Sequence, residues 1–361
     1  MSRLVQLVAI GLVLFGVASV SVTAAAPRLL VFYLTLDYYH ESIPTAISAI
    51  TNLSDSNPTV FSPTFSKDQS LFTQAGLATY SAIAFLSNSE GLGTNDPEVL
   101  ADSGKVAFVQ WLQGGGNLLA FHAGTACLFR MPEFGVAIGS WFDYHPDISN
   151  ATFTKLVSHP TISMLPNRLN LYEEVYSFMS DPRSVNSTVL LTVDASTYSD
   201  PKAGTRPYYQ GTPHPIAWYR DTPVDLENGT DANGVKTMRG RMWMTSLGHE
   251  SSTWERDDFQ SHILEGIRWS LANVASSNTT TTTASPTGSS MAASASATAG
   301  TITGATSTSK SGTGSSTAAN SPVPTTTRAA SSGVYTIIEP AGSLIAPTLL
   351  LVGAALLGMT V

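Results

Sequence analysis

The sequence predicts a doubly wound α/β domain built on a mostly parallel sheet. Short apolar runs at 28–36, 81–86 and 117–121 have no polar face, as strands buried on both sides of a sheet require. Helix-period segments separate these runs, so strand and helix alternate up to Thr125. The stretch 114–125, Gly-Gly-Gly-Asn-Leu-Leu-Ala-Phe-His-Ala-Gly-Thr, reads as helix stop, buried strand and sharp turn.

Taken in order, residues 1–25 read as a secretory signal peptide. Arg3 precedes an apolar run over 4–20, interrupted only by Gln6 and Ser19 among polar residues, and small residues around Ala24 suit cleavage; an uncleaved anchor is the alternative. The domain proper is expected over 27–274. Its first strand, 28–36, runs into Asp37-Tyr38-Tyr39-His40-Glu41-Ser42, and Pro44 suits the first turn of a helix reaching Leu53. Residues 59–65 are weaker strand sequence, and the strand at 81–86 ends in a polar loop over 87–97. A helix over 105–113 places Val106, Val109 and Leu112 on one face, and the glycines after it supply a left-handed cap. His122 closes the next strand on a turn that Ala123 and Gly124 are small enough to tighten. Ligands of open α/β sheets bind at the carboxyl ends of the strands. A polar side chain raised there is the first candidate for chemistry; a core histidine satisfied by backbone is the plain alternative.

The second half is less regular. Strands are expected at 151–157, 188–193, 215–219 and 241–246. An amphipathic helix over 257–271 carries Phe259, Ile263, Ile267 and Leu271 at intervals of four, with His262 structural or exposed on it. Residues 197–211 and 222–237, rich in Gly, Pro, Asn and Asp, read as loops bordering the site. From 275 to 332 the chain is Ser, Thr, Ala, Gly and Pro with almost no charge, the composition of an O-glycosylated stalk. Ser331-Ser332-Gly333, a spacer and the apolar run 344–361 form a signal for a glycosylphosphatidylinositol (GPI) anchor over 333–361, with attachment at Ser331. A membrane helix is the rival, and Pro347 interrupts it. Sequons at Asn52, Asn150, Asn186, Asn228 and Asn278 agree with the secretory route. The expected location is therefore extracellular, at the cell surface, with the membrane reached through a lipid anchor.

The net charge is −8, and setting aside Arg3, Lys310, Arg328 and Glu339 leaves −10 on the middle of the chain. Such a domain repels phosphates, which excludes nucleic acid as a partner. Cys127 is the sole cysteine, so no intramolecular disulfide forms and stability rests on a conventional core.

Polar motifs fall at the predicted strand ends: His40-Glu41-Ser42-Ile43, the triple glycine before His122, Phe142 to His145-Pro146, His159-Pro160, Glu173-Glu174-Val175-Tyr176, His214-Pro215-Ile216 to Trp218, Gly240-Arg241 and Leu247-Gly248-His249. In this order and spacing, over about 28–272, they resemble the ThuA-like (trehalose-utilisation) family. The resemblance implies a flavodoxin-like fold of the class I glutamine amidotransferase type and a link to disaccharide metabolism. Amidotransferases raise a cysteine at the elbow; an imidazole cannot form a thioester, so His122 excludes glutaminase chemistry unless Cys127 replaces that cysteine. Cys127, five residues on, is expected to be a small buried residue. The family's acidic residue shortly after the elbow is replaced here by Thr125-Ala126.

The candidate acid–base groups are His122, Glu174 and His249, with Glu174 raised in pKa by burial and the histidines titrating near neutrality. His40, Glu41, His145, Tyr176 and Arg241 are the candidate carbohydrate-binding residues. A Glu174–Arg241 pair is the purely structural alternative. No cofactor is required on this reading, although His40, His122 and His249 could hold a divalent metal. Two functions follow: a hydrolase or lyase of a disaccharide or modified glycoside, or a non-catalytic glycan-binding surface module.

Overall fold

The computed structural model describes residues 25–226, 234 and 236–277. The signal peptide, most of the stalk, the anchor with Ser331, and Asn228 and Asn278 lie outside them. In chain order the elements are β1 (Arg28–Phe32), α1 (Ile43–Ser56), β2 (Ser62–Ser66), α2 (Gln74–Leu77), β3 (Ala82–Leu86), α3 (Asp102–Gln113), β4 (Asn117–Phe121), α4 (Pro132–Ile138), β5 (Phe142–Tyr144), β6 (Ser149–Lys155), β7 (Arg168–Glu173), β8 (Ser177–Phe178), β9 (Thr188–Val193), β10 (Ala217–Arg220), β11 (Val224–Asp225), β12 (Thr237–Met238), β13 (Met242–Thr245), α5 (Ser251–Trp254) and α6 (Asp257–Ser277). Among these described residues no helix is long and apolar enough to cross a membrane.

Nine strands form the main sheet in the order β2-β1-β3-β4-β13-β10-β9-β6-β7. The first five are mutually parallel and follow the flavodoxin-like order 2-1-3-4-5, with β13 as the fifth strand. The other four extend the sheet antiparallel. Strand side chains alternate between two cores. Leu30, Phe32, Ile83, Phe85, Leu118, Ala120, Met242 and Met244 join Phe108 and Leu112 of α3 and Phe134 and Ile138 of α4. Leu29, Val31, Ala84, Leu119, Phe121 and Trp243 join Ala46 and Ile50 of α1 and Phe259, Ile263 and Ile267 of α6. Helices therefore cover both faces, which is why the central strands read as unbroken apolar runs.

Several boundaries differ from the sequence expectation. β1 stops at Phe32 rather than Leu36, and only Thr35 bridges onward, to Ser89. The inward face of α3 is Gly104, Ala107, Phe108 and Leu112, while Val106 is 59 % exposed. Phe108 replaces Val106 as a core anchor, while Leu112 stays buried and Val109 packs partly against the same core. Of the three glycines, Gly115 takes the left-handed conformation, at φ 98°. β7 was not anticipated: its buried face is Leu169, Leu171 and Glu173, and the acid hid the alternation. His262 is buried, with Nδ1 2.6 Å from the Thr161 carbonyl oxygen, and is structural. Cys127 is buried and free.

Candidate functional site

In a flavodoxin-like sheet the chain leaves β1 in one direction and β3 in the other, opening a crevice at their carboxyl ends. A cavity of about 470 Å³ occupies this place, lined by Asp37, Tyr38 and His40 after β1 and by Ser89, Glu90 and Leu92 after β3. The elbow after β4 supplies its floor. His122 has φ 51°, a left-handed conformation uncommon outside glycine and held here by the packing around it. The turn is tight: a Cβ on Gly124 would come 2.2 Å from the Phe85 carbonyl oxygen. His122 is fully buried, and its Nδ1 lies 2.8 Å from the Ser246 carbonyl oxygen. That carbonyl can only accept, so Nδ1 carries the hydrogen and Nε2 presents its lone pair toward Glu174. Tyr176 places its hydroxyl 3.1 Å from that Nε2.

Three further strand ends complete the centre. His40 packs edge-on at 4.5 Å from the His122 ring, and His249, beyond β13, stands 5.4 Å from His122 and 5.5 Å from His40. Glu174, just past β7, has Oε2 3.0 Å from His249 Nδ1 and 3.6 Å from His122 Nε2, and Oε1 3.2 Å from His145 Nε2. One ligand atom each from His40, His122, Glu174 and His249 lies within 4.8 Å of the others, so this cluster could hold a metal ion. Glu173 fixes the loop carrying His249: its buried carboxylate accepts from the Gly248 and His249 backbone N–H groups at 2.9 and 3.1 Å and from Thr253 Oγ1 at 2.9 Å.

The electrostatics separate these groups. Burial, reinforced by His40, drives the His122 pKa well below its usual value, so the ring is neutral near pH 7. The expectation that it titrates near neutrality is thereby corrected. Burial lowers His40 to about 4, against the pull of Glu174. Burial alone would raise Glu174, as the sequence suggested, but His249, His145 and His40 outweigh it and hold the carboxyl below its usual range. For His249, burial opposes the charge, and Glu174 overcomes it and raises the pKa. Burial pushes Glu173 up to about 7 despite its three donors.

His40, His145 and Tyr176 thus line one cavity with Glu174, and His122 and His249 stand against His40 and Glu174 without lining it themselves. Glu41 and Arg241 do neither. Glu41 is exposed and does not line the cavity. Arg241 precedes β13, which runs parallel to β4, and so lies at the opposite end of the sheet from His249. Its guanidinium stacks on Trp269 at 4.7 Å and donates to the Trp269 carbonyl, so no Glu174–Arg241 pair forms. The sequence reading passed over Asp37, Glu90, Phe129 and Asp143, which line the cavity. Glu90 could have been found as the first acid after an apolar strand, in the polar loop that follows Leu86. Its carboxylate accepts from the Val99 and Phe129 backbone N–H groups at 2.8 and 3.3 Å, placing an acid in the wall that Thr125-Ala126 leaves without one. The loop 197–211 borders the site as expected, through Arg206 on Asp143 and Asp200 on Tyr144. Asn52, Asn150 and Asn186 are exposed.

Fold and site define a flavodoxin-like α/β protein whose elbow carries an imidazole where amidotransferases carry a thiol. Residues 28–270 match the family described as ThuA, trehalose utilisation, and the chain belongs to that family. No curated protein matches it. Among solved structures, a ThuA-like protein from Bacteroides uniformis ATCC 8492 is 19 % identical with a TM-score of 0.50, over 69 % of this chain and 93 % of that one, and shares the fold. One from Parabacteroides merdae ATCC 43184 is 16 % identical with a TM-score of 0.47, over 69 % and 91 %. A glutamine amidotransferase from Thermotoga maritima is 12 % identical with a TM-score of 0.32, over 70 % and 98 %.

Proposed function

We propose that this chain acts on a carbohydrate held in the cavity, as a hydrolase or lyase of a disaccharide or modified glycoside, and that His40, His122, Glu174 and His249 hold a divalent transition-metal ion there. The carbohydrate half rests on the family's tie to trehalose utilisation. The metal half rests on one observation: His40 Nδ1, Glu174 Oε2 and His249 Nδ1 are all buried with no aligned hydrogen-bond partner. Unpaired buried polar atoms are costly, and a cation shared among them removes that cost. Three imidazoles and a carboxylate suit zinc first. The surroundings match a ligand shell: Ser246 fixes the His122 tautomer, and Glu250 Oε1 lies 3.9 Å from His249 Nε2. A bound ion would polarise a sugar oxygen. His145 and Tyr176, which touch Glu174 and His122 without belonging to the set of four, then handle the proton. Without an ion, the Glu174–His249 pair is the acid–base couple. A glycan-binding module without turnover is the second reading, favoured by the absence of an acid directly after the elbow.

The test is metal analysis of untagged protein, followed by thermal melts with zinc and trehalose titrations with and without chelator. A hundredfold excess of zinc over Kd adds about 2.7 kcal/mol, raising Tm by about 5–10 °C. Unchanged melting with full trehalose binding removes the metal, and release of glucose from trehalose separates enzyme from module. We further propose that the domain is secreted, N-glycosylated and tethered through a lipid at Ser331.

A further inference from the structure

Asp143 of β5 lines the same cavity, yet its side chain is only 2 % exposed. Arg206 clamps its carboxylate: Nε donates to Oδ2 at 2.8 Å and a terminal nitrogen donates to Oδ1. The guanidinium is itself fixed, lying 4.8 Å over the Tyr144 ring, whose hydroxyl donates to Asp200 at 2.6 Å. Each Asp143 oxygen still has lone-pair capacity beyond its arginine hydrogen bond, in a direction the clamp holds constant. Beside it, Phe142 packs at a tilt against Tyr176, ring centroids 4.4 Å apart, and also lines the cavity. Tyr38, 55 % exposed, lines the cavity too. The residues lining the cavity include Asp37, Glu90, Asp143 and Glu174 and no lysine or arginine.

We propose that Asp143, oriented by Arg206, is the hydroxyl-reading residue of a subsite for an uncharged sugar ring, with Phe142 as its apolar wall. This rests on the carbohydrate reading above and names the substrate class. A sugar ring offers C–H bonds on its face and hydroxyl donors on its edge. An aromatic ring beside a fixed carboxylate complements both, and the carboxylate accepts charge-assisted hydrogen bonds. A phosphate or carboxylate on the sugar seated at Asp143 would meet a carboxylate whose guanidinium partner, Arg206, is already committed to it, at residues outside the His40, His122, Glu174 and His249 set that would hold the ion. Like charges brought together in a partly desolvated cavity repel strongly, so the subsite selects against anionic sugars.

The experiment compares calorimetric titrations of the full-length protein with trehalose and with trehalose 6-phosphate. The wild type should bind trehalose at least tenfold more tightly than its phosphate. Asp143→Asn should weaken trehalose binding about 10- to 100-fold. It also releases Arg206 from its carboxylate, so it should bring the phosphate's affinity to that of trehalose or above it, a reversal that general loosening of the fold does not produce. Arg206→Lys keeps the charge but loses the fork. It should weaken trehalose binding while preserving the preference against phosphate, and it carries the test should Asp143→Asn not fold. Equal or tighter binding of the phosphate by the wild type overturns the subsite and leaves the carbohydrate reading standing. An unchanged trehalose affinity in folded Asp143→Asn does the same. Failure of the wild type to bind either sugar overturns both.

Discussion

Glu174 Oε2 and His249 Nδ1 stand 3.0 Å apart, yet neither has an aligned hydrogen-bond partner. Two charged-capable atoms this close ordinarily share a proton along the line between them. His40 Nδ1 is likewise without an aligned partner, and one ligand atom from each of His40, His122, Glu174 and His249 lies within 4.8 Å of the others. The three atoms come from the ends of β1, β7 and β13, far apart in the sequence, and His122 joins them from β4. The centre is thus a product of the whole sheet.

His122→Asn should keep the fold and abolish tight metal binding. Asparagine tolerates the left-handed conformation that His122 adopts at φ 51°, and its amide can donate to the Ser246 carbonyl. What it lacks is the Nε2 lone pair facing Glu174. Losing a metal ligand should cost more than the about 10- to 100-fold typical of losing a supporting residue. Melting curves and zinc titrations on one sample test this. A variant that melts several degrees lower but still takes up zinc at full affinity makes His122 a core residue only.

Glu173→Gln probes support rather than ligation. Glutamine keeps one acceptor oxygen and turns an NH₂ group toward donors, so at least one of the Gly248, His249 and Thr253 donors loses its acceptor. The expected cost is about 1–3 kcal/mol in stability. Zinc affinity should fall about 10- to 100-fold as the His249 loop loosens. A destabilised variant with unaltered zinc affinity would confine Glu173 to holding the fold.

Much of the parallel half was legible because its strands are buried on both faces and its helices are periodic; 117–121 and the elbow at His122 were read to the residue. The antiparallel half was harder. β7 alternates Leu169, Leu171, Glu173, and a buried carboxylate breaks a hydrophobic pattern. Glu174 was found through its motif, whereas Asp143 is an unspecified position within the Phe142–Pro146 motif and Glu90 lies in no motif, and only the fold brings them to the crevice. Arg241 was misplaced because sequence adjacency to a site motif does not say which end of a strand a residue occupies. Four residues of β13 separate it from the carboxyl end.

The proposed lipid anchor is open to direct measurement. Phosphatidylinositol-specific phospholipase should release the protein from intact cells, with a mature N-terminus near Ala25. Recovery of peptides beyond Leu344 from the mature chain, with release by detergent alone, would replace the anchor by a membrane segment.

His262 should make the domain acid-labile for a reason separate from the site. Burial lowers its pKa to about 4, while Nδ1 binds the Thr161 carbonyl and Asp258 pulls the other way. Between the unfolded value near 6.5 and the folded value, the unfolded chain binds a proton that the native chain does not. Stability therefore rises with pH across this window and falls on acidification through it. The neutral ring's advantage is complete above about pH 6.5, and about 3 kcal/mol of it is lost by pH 4. His262→Asn keeps a donor for the Thr161 carbonyl and removes the titration. Urea midpoints at pH 7, 5.5 and 4.5 should converge: the variant is weaker at pH 7 through lost packing on Trp243, whose ring lies 4.8 Å from His262, but declines less toward pH 4.5. Other groups, His40 among them, titrate alike in both proteins and cancel in the difference. Parallel wild-type and variant curves across the three pH values would show that His262 is not held neutral in the native state.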